Sequence, residues 1–136
     1  MNYQMARPYF PEDEINWLLE EFKNILQGNA PLSMGSRVKE FEGTFANYVG
    51  ADYAVGTNSC TAALEIALRS IGIQKGDEVI IPAETFIATG SAVVSEGATP
   101  VFCDINPKSF CIGLNELKKQ VTEKTKAVII VHMAGM

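Results

Sequence analysis

A chain of 136 residues has the length of one domain and can bury about two-thirds of the surface its unfolded form exposes. With 47% hydrophobic and 20% charged residues it has the make-up of an ordinary soluble protein. Its net charge of −5 argues against broad electrostatic binding to nucleic acid or anionic membrane, yet allows one local anion site built from backbone dipoles.

Residues 1–10 read as irregular. Pro11 then opens a helix, with Glu12, Asp13 and Glu14 complementing its dipole. Ile15, Leu18, Leu19, Phe22, Ile25 and Leu26 fall on one helical face, and Gly28 stops the helix. Asn29 to Gly35 form a loop. A second amphipathic helix carries Val38, Phe41, Phe45 and Tyr48 on one side and ends at Gly50.

Beyond that point short apolar strands alternate with helices. Strands are expected at 53–55, 78–81, 99–104 and 127–132, and helices at 60–71, 85–96 and 114–122. Lys75-Gly76-Asp77, Glu96-Gly97 and Asn106-Pro107 are the intervening turns. Val79-Ile80-Ile81 and Val128-Ile129-Ile130-Val131 are apolar on both faces, the pattern of buried parallel strands covered by helices. The last strand is followed only by His132 to Met136, without the helix that normally covers such a strand, so the chain reads as part of a larger protein.

Two stretches could carry chemistry. In Gly56-Thr57-Asn58-Ser59-Cys60-Thr61 a small polar turn runs into an Ala-rich helix. Ser59 or Asn58 can cap that helix, and Cys60 and Thr61 would offer first-turn N–H groups. This is either an ordinary capped helix or a phosphate cradle, for the spacing is neither that of a P-loop nor of the dinucleotide fingerprint. In Ile81 to Thr89, Pro82 ends a buried strand and Thr85 starts a helix with Phe86 in its first turn. That is the strand edge where open parallel sheets bind ligands, so Phe86 either stacks on a flat ring or belongs to the core.

The remaining candidates read more simply. Glu84 and Asp104 near strand ends are surface or capping carboxylates rather than an acid–base pair. His132, the single histidine, is a hydrogen-bonded structural residue rather than a catalyst. The lysines at 23, 39, 75, 108, 118, 119, 124 and 126 occupy polar positions and read as solvated. Cys60, Cys103 and Cys111 are odd in number and loosely spaced, hence neither a disulfide framework nor a zinc site; no metal is expected. There is no basic-then-apolar leader and no run of about 18 apolar residues, so a cytoplasmic location is expected.

Taken together, Pro31-Leu32-Ser33-Met34-Gly35, Tyr53 to Leu64, Gly76 to Pro82, Thr85 to Thr89, Gly97 to Ile105 and Thr125 to His132 resemble the DegT/StrS group of pyridoxal 5′-phosphate (PLP)-dependent sugar aminotransferases. The match runs in order from about residue 7 to the end and covers only the first third or so of a family member. It implies an α/β fold: part of the fold type I large domain, a mainly parallel sheet flanked by helices, truncated before the catalytic half. Residues 1–50 would be an N-terminal helical segment and 51–136 the first part of the PLP-binding domain. Cys60 and Thr61 match the Gly-Thr pair that holds the cofactor phosphate; a residue larger than the usual glycine at 60 is tolerable if its side chain points away. Ser59 joins them, and Phe86 matches the aromatic that stacks on the pyridine ring. Ser33 and Gly35 match a loop near the active site across a dimer interface, on the substrate side.

The resemblance also implies what is missing. The family's Schiff-base lysine and the aspartate that pairs with the pyridine nitrogen fall beyond Met136, so the chain carries half a cofactor site, no catalytic residue, and is expected to be inactive alone. The parent is expected to be a homodimer that moves an amino group from an amino acid to a keto-sugar nucleotide, as in polysaccharide biosynthesis. A sugar dehydratase of the same family, with histidine for lysine, stays open, as does a non-catalytic half-domain that binds a partner. An unrelated nucleotide-binding α/β domain is a further alternative.

Overall fold

The chain divides into two compact units, Met1–Gly56 and Thr57–Met136. The computed structural model describes residues 8–136; the first seven residues of the stretch expected to be irregular lie outside the described residues.

In the first unit, α1 (Glu12–Leu26) begins one residue later than expected. Pro11 is its N-cap, with extended φ −57° and ψ 153°, and its carbonyl accepts the first helical bond from the Ile15 amide at 3.0 Å. Gly28 ends the helix with φ +81°, a left-handed turn that a side chain would resist. The second helix, α2 (Ser36–Val49), stops the same way at Gly50, φ +72°. Arg37 ties the two helices together. Its Nε donates to Glu21 and its Nη1 to Glu40, both at 2.8 Å, and its guanidinium carbon lies 5.3 Å from the centre of the Trp17 ring. The Arg37 hydrogen bond holds the Glu21 carboxyl below its ordinary pKa, so this link is present at neutral pH and weakens as acid protonates Glu21. Glu42 Oε1 accepts the Gly56 amide at 2.8 Å and ties the end of the unit back onto α2. The apolar stripes exist as the spacing predicts, but they are not covered within this chain: Leu19, Phe22, Phe41 and Tyr48 are exposed, and Ala46 alone is buried in the unit among the described residues.

The second unit is the alternating half. Its elements are α3 (Cys60–Ser70), β1 (Glu78–Pro82), α4 (Ile87–Ser95), β2 (Thr99–Cys103), α5 (Leu114–Gln120) and β3 (Thr125–Val128), followed by a short 3-10 turn, Met133–Gly135. The strands form one parallel sheet in the order β2-β1-β3, with Ile80 opposite both Val101 and Val128. Val79, Ile80 and Ile81 of the central strand are fully buried. Leu68 of α3 and Ala92 and Val93 of α4 join Val79 and Ile81 in the core. Small residues let α4 lie close: a Cβ on Gly90 would sit 3.4 Å from Ile81 Cδ1.

Three expectations require correction. Residues 53–55 are not a strand; no chain segment lies alongside to pair with them among the described residues. The last strand is Thr125–Val128, not 127–132. Ile129 still donates to the Ile80 carbonyl at 2.9 Å, but the following rung would need an N–H from Pro82, which has none. Finally, α4 starts at Ile87 rather than at Thr85, because Phe86 is an extended N-cap with ψ 143°.

On the far side of the sheet order, β3 is an edge. Between it and α3 runs an open apolar groove of about 380 Å³, lined by Leu64, Leu68 and Ile71 on the helix and by Ala127, Ile129 and Ile130 on the strand.

Truncating the fully buried Ile80 to Ala should destabilise the protein by about 2–5 kcal/mol in urea denaturation, as cavity-forming core substitutions do. The same change at Phe22, 64% exposed, should cost well under half of that. Equal losses would mean that β1 is not the core of the fold.

Candidate functional site

Helices in this arrangement run against the strands they cover, so α3, which leads into β1, and α4, which follows it, both begin at the C-terminal edge of the sheet. At the first of these starts, Ser59 is the N-cap. Its backbone is extended, and its hydroxyl oxygen accepts the Ala62 amide at 3.1 Å. Its carbonyl accepts the Ala63 amide at 3.1 Å and the Thr57 hydroxyl at 3.0 Å. Of the two capping candidates it is therefore Ser59, not Asn58, that caps. The amides of Cys60 and Thr61 come before the first rung of the helical ladder, and Ser59 leaves them free. Ser59 and Cys60 are exposed and Thr61 is half-buried. Two unsatisfied N–H groups, a threonine hydroxyl and the positive end of an 11-residue helix suit a phosphate monoester.

At the second start, Phe86 stands immediately before α4, 77% exposed and outside the core of this chain. The turn behind it is held from both sides. Thr85 and Thr89 share a hydroxyl–hydroxyl bond of 2.8 Å, and the Thr89 amide donates to the Phe86 carbonyl at 3.0 Å. An exposed aromatic on a fixed turn can lie against a flat ring. Thr89 was not singled out by the sequence; the clue to it is two threonines spaced i, i+4 across a helix start.

The DegT/DnrJ/EryC1/StrS aminotransferase family matches residues 12–136, nearly the whole chain. The chain belongs to this family. Among its DegT-family relatives, the spore coat polysaccharide biosynthesis protein SpsC of Bacillus subtilis is 49% identical over 76% of this chain and 27% of its own length. A GDP-perosamine synthase of Caulobacter vibrioides is 43% identical over 76% of this chain and 28% of its own. The crystal structure of NtdA from B. subtilis with bound cofactor PMP superposes with a TM-score of 0.85 at 33% identity, over 98% of this chain and 33% of that one. The chain thus spans about a third or less of the length of these DegT-family proteins. Its α/β unit with the small parallel sheet is a partial fold type I domain, and pyridoxal phosphate is the cofactor that membership implies.

Ser33 and Gly35 belong to the first unit, in the loop ahead of α2. Gly35 is the N-cap of α2, Met34 between them is left-handed at φ +54°, and Leu32 and Met34 are exposed. Glu84 and Asp104 are exposed just past β1 and β2. His132 is also exposed, with Nδ1 2.7 Å from the Met136 carbonyl oxygen. All of the lysines named above are exposed. Cys60 is exposed, Cys111 half-buried and Cys103 buried, where burial first, and then the Asp104 and Glu116 charges, push its thiol pKa up. Among the described residues no cluster of His, Cys, Asp and Glu could hold a metal, and no helix is long and apolar enough to cross a membrane.

Replacing Ser59 by Ala should cost about 1 kcal/mol in chemical denaturation, and replacing it by Asn almost nothing, since Asn caps as well as Ser. A loss with Asn equal to that with Ala would mean that the hydroxyl is not acting as the cap.

Proposed function

We propose that the protein transfers an amino group from an amino-acid donor to the keto group of a nucleotide-linked sugar, with pyridoxal 5′-phosphate as its cofactor. What carries the reading is the pairing, at one edge of the sheet, of free amides at the start of α3 with an exposed aromatic at the start of α4, in a chain of an aminotransferase family. The Cys60 and Thr61 amides and the Thr61 hydroxyl bind the phosphate, Ser59 keeps the helix start in shape, and Phe86 covers one face of the ring. When bound, pyridoxal phosphate supplies the electron sink through which an amino group is exchanged.

On this reading the chain provides half of the cofactor site, and the lysine and the carboxylate for the pyridine nitrogen come from the remainder of the family fold, so that this chain alone is inactive. Residues 51–136 are then the first part of the cofactor domain and 1–50 a helical segment that serves it. The GDP-perosamine synthase relative supports a nucleotide sugar as substrate. The exposed loop at Ser33 and Gly35 faces substrate from a second copy in a homodimer, and the enzyme works in the cytoplasm.

Titration of the intact protein with pyridoxal phosphate, followed by absorbance, tests this. Thr61→Ala should weaken retention about 10- to 100-fold, the worth of a hydrogen bond to a charged group. Phe86→Ala should shift the absorbance of the bound cofactor. Unchanged affinity in the first variant would remove Thr61 from the phosphate site; an unchanged band in the second would remove Phe86 from the ring.

A further inference from the structure

The aromatic at the start of α4 has a dedicated support. Thr89 is 6% exposed, a buried polar residue on a helix face otherwise made of Ala92 and Val93. Its hydroxyl meets that of Thr85 at 2.8 Å, and its amide holds the carbonyl of Phe86 at 3.0 Å. One residue therefore grips the chain on both sides of an aromatic side chain that has little packing of its own, being 77% exposed. Thr85 is drawn under the turn and Phe86 is left extended as the N-cap, one residue before the helix begins. Gly90, next to Thr89, comes close enough to Ile81 to fix the depth of the helix against β1. The Thr89 grip is thus referenced to the core of the sheet and not to the solvent.

The geometry points to Thr89 as a positioning residue: its hydroxyl, paired with that of Thr85, sets the angle at which Phe86 meets the face of the cofactor ring. This rests on the cofactor reading above and goes beyond it, because Thr89 is buried and its partners are Thr85 and the Phe86 carbonyl. Without the hydroxyl, Thr85 is free to turn to water and the N-cap gains rotational freedom, while the cradle at Ser59 to Thr61 is unaltered.

The test compares Thr89→Val, which keeps the shape and removes the hydroxyl, with Thr89→Ser, which keeps the hydroxyl. Both are made in the intact protein and read by pyridoxal phosphate affinity and by the induced circular dichroism of the bound cofactor. Thr89→Val should weaken binding about three- to tenfold and reduce the induced signal, the scale of one neutral hydrogen bond. Thr89→Ser should restore both. Affinity for inorganic phosphate alone should be unchanged in either variant, which a general loosening of the fold would not allow. Thr85→Val should reproduce Thr89→Val, and the double variant should be no worse than either single one. Thr85 is only half-buried, so this arm carries the test if Thr89→Val does not fold. A wild-type dichroism signal in Thr89→Val or Thr85→Val, or a Thr89→Ser as impaired as Thr89→Val, overturns the inference while leaving the cofactor reading standing. A wild-type protein that takes up no pyridoxal phosphate overturns both.

Discussion

Everything in the α/β half hangs on the burial of one strand. Val79, Ile80 and Ile81 are shut off from water on both faces of β1, which has a strand on each side and α3 and α4 packed over the Val79 and Ile81 face. Parallel neighbours demand crossover connections, and crossovers return each helix start to the same edge. The free amides at the start of α3 and the exposed Phe86 at the start of α4 lie on that edge for this reason. The hydrophobic requirement of a few β-branched side chains is what brings the polar site together.

Much of this was legible in the residues. Alternating short apolar runs and helical stretches announced a parallel α/β unit, and Gly28 and Gly50 marked the ends of two helices that the structure ends there with positive φ. The small polar turn before Cys60 told of a capped helix, and Ser59 caps it. What composition alone hid was pairing. Tyr53 to Val55 look like a strand and find no partner within the chain, and β3 stops short of its apolar run because Pro82 lacks the hydrogen that the next rung requires. A side chain's β-propensity says nothing about whether a neighbour is present to receive the hydrogen bonds.

The site was half legible for a similar reason. Ser59, Cys60, Thr61 and Phe86 stood out because turn chemistry and strand ends are local signals. Whether Phe86 is core or surface is a tertiary question that the sequence leaves open; within this chain it is 77% exposed. The Thr85–Thr89 bond has no signal in the sequence beyond the i, i+4 spacing, because it depends on the helix starting at Ile87, two residues later than the pattern predicts. Likewise the stripes of α1 and α2 were read correctly as amphipathic, but periodicity cannot tell whether a face is covered by the same chain.

The strand order β2-β1-β3 has a consequence for how the chain reaches its fold. The most apolar strand of the sheet is made first on the ribosome, yet its first partner begins only at Thr99 and its second at Thr125. No hairpin can shelter it in the meantime, since every pairing in the sheet is parallel and spans a crossover. During synthesis β1 therefore waits with bare edges, α3 being the one element of its own unit already made. Slow folding and exposure to aggregation are the expected costs of a central strand that is made before either of its partners.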